Sequence, residues 1–158
     1  MNWCPPPAGY LKINVDAAVR RHQHLVCAGV VVRNAAGDLM GACTLIWHTV
    51  TDPSIAEAWA CLRGLIFAED MGYHHVILES DSLTVVKKLL EPSEDLSPCR
   101  ALIEKGKRLL RSIRSASVRH VRRERNKAAH TLANWGTANP SPSYWIEEEP
   151  PVIQGIML

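Results

Sequence analysis

The order in which two periodicities occur constrains this chain more than any other feature. Leu11-Lys12-Ile13-Asn14-Val15-Asp16-Ala17-Ala18-Val19 alternates apolar with polar residues, the period of a half-buried strand. Leu25 to Arg33 is Val-rich and contains Gly29, a second strand. Asn34-Ala35-Ala36-Gly37-Asp38 has turn chemistry, and Leu39 to Thr49 reads as a third strand. Together they predict an antiparallel meander. After Asp52-Pro53-Ser54 the period becomes helical: Ile55, Ala58, Trp59, Leu62, Leu65 and Ile66 recur on one side, and the pattern stops near Gly72.

From there strands and helices alternate. His75 to Ser80 is a short apolar strand, Ser82 to Leu90 a short helix, and Pro92 to Pro98 a linker. Cys99 to Ile113 is an amphipathic helix, Ser115 to Val121 a fifth strand, and Asn126 to Trp135 a last helix with Asn126 as its cap. Helical crossovers before the fourth and fifth strands suit parallel pairing. The expectation is an α/β fold: a five-stranded mixed sheet, three antiparallel strands then two parallel, flanked by helices. Residues 1–138 form the predicted domain, and the Pro, Ser and Glu content of 139–158 predicts a C-terminal tail.

Charge is distributed unevenly. Net charge is only +2 over the 158 residues, but Arg100 to Lys127 holds eleven Lys or Arg against Glu104 and Glu124. A basic segment beside an acidic body suggests a polyanion for the first and cations for the second. A solvated helix face is the alternative. No apolar run is long enough to span a membrane, and the N-terminus lacks the pattern of a signal peptide. Cys4, Cys27, Cys43, Cys61 and Cys99 include no C-x-x-C pair, so they are expected to be reduced, mostly buried thiols in an intracellular, reducing compartment, nucleus or cytoplasm.

Three carboxylates stand in unusual places. Asp16 lies inside a strand, where Asp is depleted, on the polar face with Asn14; it could simply be exposed. Glu57 fits a capping box as Ser54-Ile55-Ala56-Glu57, yet its helix face continues through the small residues Ala60, Cys61 and Gly64, which would let the helix lie against the sheet. Asp81 follows an apolar strand and precedes a helix. It could be an N-cap, or it could sit at the carboxyl end of a parallel strand, where open α/β sheets place their sites. Hard cations take oxygen ligands from one or two carboxylates plus substrate phosphates, so the three are candidates for one metal cluster.

Short matches in a fixed order carry a resemblance. They are Trp3-x-Pro5-Pro6-x-x-Gly9-x-x-Lys12-Ile13-Asn14-x-Asp16 and Ala28-Gly29-x-x-x-Arg33-Asn34-x-x-Gly37. Ala56-Glu57-x-x-Ala60 and Glu79-Ser80-Asp81-Ser82 follow, then Arg123-Glu124-x-Asn126-x-x-Ala129-His130-x-Leu132-Ala133. The chain resembles the type 1 ribonuclease H family, in particular the plant branch related to the ribonuclease H domains of non-LTR retrotransposons.

The resemblance implies a ribonuclease H-like fold and hydrolysis of the RNA strand of an RNA–DNA hybrid with two divalent ions, Mg²⁺ or alternatively Mn²⁺. It places metal ligands and catalytic groups on Asp16, Glu57 and Asp81, with His130 at a fourth position where many members have Asp. Two departures accompany it: Ala17 stands where the family usually has Gly, and the loop histidine of some type 1 enzymes has no clear equivalent. Ser54 and Ser82 are candidates for 2′-hydroxyl contacts. Lys105, Lys107, Arg108, Arg111 and Arg114 are candidates for backbone phosphates, with little sequence preference. The expected partner is the hybrid, with no membrane and no protein partner, and the chain is expected to be a monomer. The competing readings are a catalytically weakened RNA- or hybrid-binding module of the same fold, another nuclease of the superfamily, and a metal-free interaction domain.

Overall fold

A computed structural model describes residues 2–49 and 51–156; Met1, Val50, Met157 and Leu158, the last two belonging to the expected tail, lie outside the described residues. The meander forms as β1 (Leu11–Arg20), β2 (Leu25–Arg33) and β3 (Leu39–Trp47), antiparallel throughout. Helix α1 (Pro53–Asp70) leads to β4 (His75–Ser80), which pairs parallel to β1. Helices α2 (Leu83–Leu90) and α3 (Arg100–Ser112) lead to β5 (Ser115–His120), parallel to β4, and α4 (Lys127–Ala138) follows.

The sheet has six strands rather than the five expected, in the order β5-β4-β1-β2-β3-β6. The additional strand, β6 (Ser143–Ile146), comes from the segment read as a tail and pairs antiparallel with β3. A few residues later Ile153 is fully buried against Val31, Leu39, Ala42, Ala128 and Leu132. Four residues, Ser143-Tyr144-Trp145-Ile146, are too short for alternation to register against the surrounding Pro, Ser and Glu.

Helices cover both faces, which corrects the half-buried reading of β1. On one face α1 packs against Ile13 and Val15, close enough that a Cβ at Gly64 would lie 2.6 Å from Val15 Cγ1. On the other, α4 approaches β2 so closely that a Cβ at Gly29 would fall 2.5 Å from Ala129 O and 2.7 Å from Ala133 N. The polar side of β1, Lys12, Asn14 and Asp16, is therefore buried rather than solvated, with Asp16 meeting His130 of α4 and Asn14 meeting its N-cap Asn126. All five cysteines are free, and Cys27, Cys43, Cys61 and Cys99 are buried.

Candidate metal centre

Each of the three carboxylates is positioned by a different element. Asp16 projects from the middle of β1 beneath α4 and is 1 % exposed, which removes the surface reading. Glu57 lies in the first turns of α1, but it does not cap that helix. Asp52 does, accepting from Ile55 N at 2.9 Å. Glu57 Oε1 instead reaches across to β1 and accepts from Ala17 N at 2.7 Å. Asp81 follows β4 without capping α2, because Ser82 holds the N-cap position and its Oγ accepts from Val85 N at 3.4 Å. With both capping roles taken by other residues, the carboxylates are left to face one another. One oxygen from each of Asp16, Glu57 and Asp81 lies within 4.8 Å of the other two.

Three acids so close repel, and the surroundings show it. Burial pushes the Glu57 carboxyl well above the usual carboxylate range, and the neighbouring charges of Asp16 and Asp81 push it further; the Ala17 N–H pulls the other way. Two side chains offset part of the charge. His130, on the second turn of α4, places Nδ1 2.8 Å from Asp16 Oδ2. Arg123 places Nε on Asp81 Oδ2, and its Nη1 lies 3.0 Å from His130 Nδ1 and 3.3 Å from Nε2. A guanidinium only donates, so an Nδ1–H directed at Asp16 leaves Nε2 as the acceptor for Arg123. Asn134 Nδ2, also bonded to His130 O at 2.9 Å, adds a weak contact to Nε2 at 3.4 Å.

The donor set suits a hard divalent cation. It offers carboxylate oxygens, and Glu57 Oε2 is buried with no hydrogen-bond partner among the described residues, an orphan that a cation would satisfy.

The remaining predicted residues are dispersed. Ser54 is exposed in the first turn of α1, on the helix that carries Glu57, and Ser82 adjoins Asp81 with its hydroxyl engaged as a cap. Lys105, Arg108, Arg111 and Arg114 are exposed on or just after α3, which packs against α1 and α2. Lys107 is not with them. It is buried, pairs with Glu104 at 3.1 Å and donates to Ser93 O at 2.8 Å, so its predicted phosphate contact is withdrawn. Helical periodicity turned it inward: it sits four residues after Ile103, which is buried in the core.

Two residues were missed as site components, although both stand in the quoted Arg123-Glu124-x-Asn126 block. Arg123 sits on the cluster. Asn126 occupies the N-cap position of α4 but makes no side-chain cap bond. Its Nδ2 donates to Val15 O at 2.9 Å and its Oδ1 accepts from Asn14 Nδ2 at 3.1 Å, tying the start of α4 to β1 beside Asp16.

This architecture has close relatives. The profile of the reverse transcriptase-like family matches residues 14–136, and the chain belongs to that family. An Arabidopsis thaliana protein, provisionally named a ribonuclease H protein, is 33 % identical over 135 residues, 85 % of this chain and 22 % of that protein. The chain thus spans about a fifth of that relative's length. Among solved structures, the ribonuclease H1 of the halophilic archaeon Halobacterium salinarum has a TM-score of 0.74 at 25 % identity, covering 84 % of this chain and 99 % of that one. LC11 ribonuclease H1, solved in complex with an RNA/DNA hybrid, has a TM-score of 0.72 at 19 % identity, over 82 % and 98 % of the two chains. The fold is ribonuclease H-like, as the sequence resemblance implied.

Proposed function

We propose that the chain is a metal-dependent endonuclease that hydrolyses the RNA strand of RNA–DNA hybrids. The observation that carries this reading is the meeting of Asp16, Glu57 and Asp81 within 4.8 Å, with neither expected capping role in use. The family and the ribonuclease H names of its relatives support the substrate class. Asp16, Glu57 and Asp81 would hold Mg²⁺ or Mn²⁺, with His130 beside them. Divalent ions at such a cluster supply activation of water and neutralisation of charge on the scissile phosphate.

The chain's own residues do the rest. Burial under α4 fixes Asp16, the Ala17 N–H orients Glu57, and His130 holds Asp16 through Nδ1. Arg123 offsets the charge of Asp81 and presents a guanidinium at the rim, where a phosphate of the substrate would lie. The exposed bases of α3 would neutralise backbone phosphates farther along the duplex.

Cleavage of a hybrid labelled on each strand in turn tests this, with Mg²⁺, with Mn²⁺ and with EDTA. RNA-strand products that need metal are expected. Asp16→Asn and Asp81→Asn should each lower the rate ~100-fold or more with unchanged circular dichroism. Near-normal turnover in either variant would overturn the assignment. One observation favours the alternative of a binding module with weakened catalysis: Arg123 already serves as counter-ion to Asp81. Metal-independent hybrid binding without product would select it.

A further inference from the structure

The buried side of β1 continues away from Asp16 through Asn14 to Lys12, into a polar network. Lys12 Nζ pairs with Glu79 Oε2 at 3.1 Å and donates to Cys4 O at 2.6 Å, while Asn14 Nδ2 donates to Glu79 Oε1 at 3.0 Å. Among the described residues this network holds two cations, Lys12 and Arg33, against the single anion Glu79. Arg33 is 2 % exposed and stacks its guanidinium on the Trp3 ring at 4.0 Å. It donates to the neutral Asn14 Oδ1 at 3.4 Å, and its Nε has no hydrogen-bond partner among the described residues. Glu79, which acts on it electrostatically, is already engaged with Lys12. Burial lowers the Arg33 pKa to about 10, with Glu79 opposing the shift. Buried charges are ordinarily paired, because desolvating an unpaired one is costly.

Arg33 borders a cleft of about 330 Å³ together with Trp3, Glu124, Arg125 and Lys127. Among the described residues that line it, Glu124 is the one acid, facing the cations Arg33 and Lys127. One wall is the first turn of α4, a 12-residue helix whose N-cap residue, Asn126, turns its side chain to β1 and makes no capping bond to the helix amides. Unsatisfied amides and the positive end of the helix dipole both favour an anion there. A buried guanidinium short of a counter-charge, an uncapped helix start and an exposed lysine thus converge on one space.

We propose that this cleft binds a phosphate group between Arg33, Lys127 and the N-terminus of α4. The phosphate is one of a nucleic-acid backbone. The turn that separates cleft from carboxylates sends Arg123 to Asp81, while Glu124 and Arg125 wall the cleft, so a single strand can lie against both. The choice of strand phosphate rests on the nuclease reading above; the phosphate site does not.

The test uses the whole ¹⁵N-labelled chain in EDTA, so no cleavage enters. Inorganic phosphate is titrated first, against chloride at equal ionic strength, and a short RNA–DNA hybrid second. The Trp3 indole N–H and the Arg33 Nε–H are followed, assigned from the spectra of Trp3→Phe and Arg33→Lys. Saturable shifts of both signals with phosphate are expected, with an affinity at least tenfold weaker in Lys127→Glu, a surface change that spares the buried network. The same two signals moving with the hybrid would identify a strand phosphate. Movement with inorganic phosphate alone would retain the site and overturn the strand contact. No movement with either ligand, or an unchanged affinity in Lys127→Glu, would overturn the site. Failure of the wild-type chain to cut hybrids in Mg²⁺ would overturn the nuclease reading and leave the phosphate titration standing.

Discussion

Glu57→Gln should move stability and activity in opposite directions. Glu57 has an oxygen within 4.8 Å of oxygens of both Asp16 and Asp81. At that separation and an effective dielectric constant of about 20, two unit charges repel by ~3.5 kcal/mol. Arg123 on Asp81 and His130 on Asp16 offset a share of the repulsion. The metal-free variant should therefore be more stable by roughly 2–4 kcal/mol at about pH 8, or roughly 5–15 °C in Tm for a chain of this size. Geometry permits the gain. Gln Oε1 can keep the 2.7 Å bond from Ala17 N, and its amide group can donate to the flanking carboxylates where Glu57 Oε2 has no partner.

The pH dependence has a definite sign. Burial and the adjacent acids raise the folded-state pKa of Glu57 above the ordinary 4.5, so the folded chain retains a proton that the unfolded chain releases. The stability linked to that proton is fully present below the unfolded pKa and is lost as pH rises toward the folded one. In EDTA the wild-type Tm should fall between about pH 5 and about pH 8, and the Gln variant should fall less, so that the gap widens. Scanning calorimetry at the two pH values measures this, and added Mg²⁺ should raise the wild-type Tm more than the variant's while hybrid cleavage by the variant collapses. A Gln variant no more stable than wild type at the higher pH would refute the reasoning.

Other expectations rest on single contacts. Asn126→Ala leaves Val15 O and Asn14 Nδ2 without their buried bonds at 2.9 and 3.1 Å, and should lower stability by roughly 2–5 kcal/mol; an unshifted urea midpoint would count against it. Gly29→Ala forces α4 off the sheet, because the new methyl would meet backbone at 2.5 Å. A loss of roughly 1–3 kcal/mol should accompany slower cleavage as His130 moves from Asp16, and a wild-type Tm with wild-type rate would contradict the packing argument. Hybrid affinity should fall steeply with salt, and Arg108→Ala or Arg111→Ala should each reduce the log–log slope by about one, which filter binding can read. Lys107→Ala should instead lower stability with little change in slope, since its ammonium is engaged with Glu104 and Ser93.

Local pattern determined much of this protein. Alternation in 11–19, the Val-rich run at 25–33 and the helical spacing after Pro53 are set by which side chains must leave water, and those elements formed where the pattern put them. The ordered motifs likewise picked out Asp16, Glu57 and Asp81. Pattern could not decide what each polar side chain meets, because that depends on elements far away in sequence. Ser54-x-x-Glu57 reads as a capping box until Asp52 takes the cap and β1 presents the Ala17 N–H. Asn126 reads as a cap until β1 offers Val15 O, and Lys107 reads as a phosphate contact until Ser93 and Glu104 close over it. Hydrophobic burial is a property of short stretches, whereas the pairing of a buried polar group is a property of the assembled fold. Local pattern and the ordered motifs therefore yielded the elements and the candidate acids, and only tertiary structure decided that α4 covers Asp16, that β6 extends the sheet, and that three carboxylates share one site.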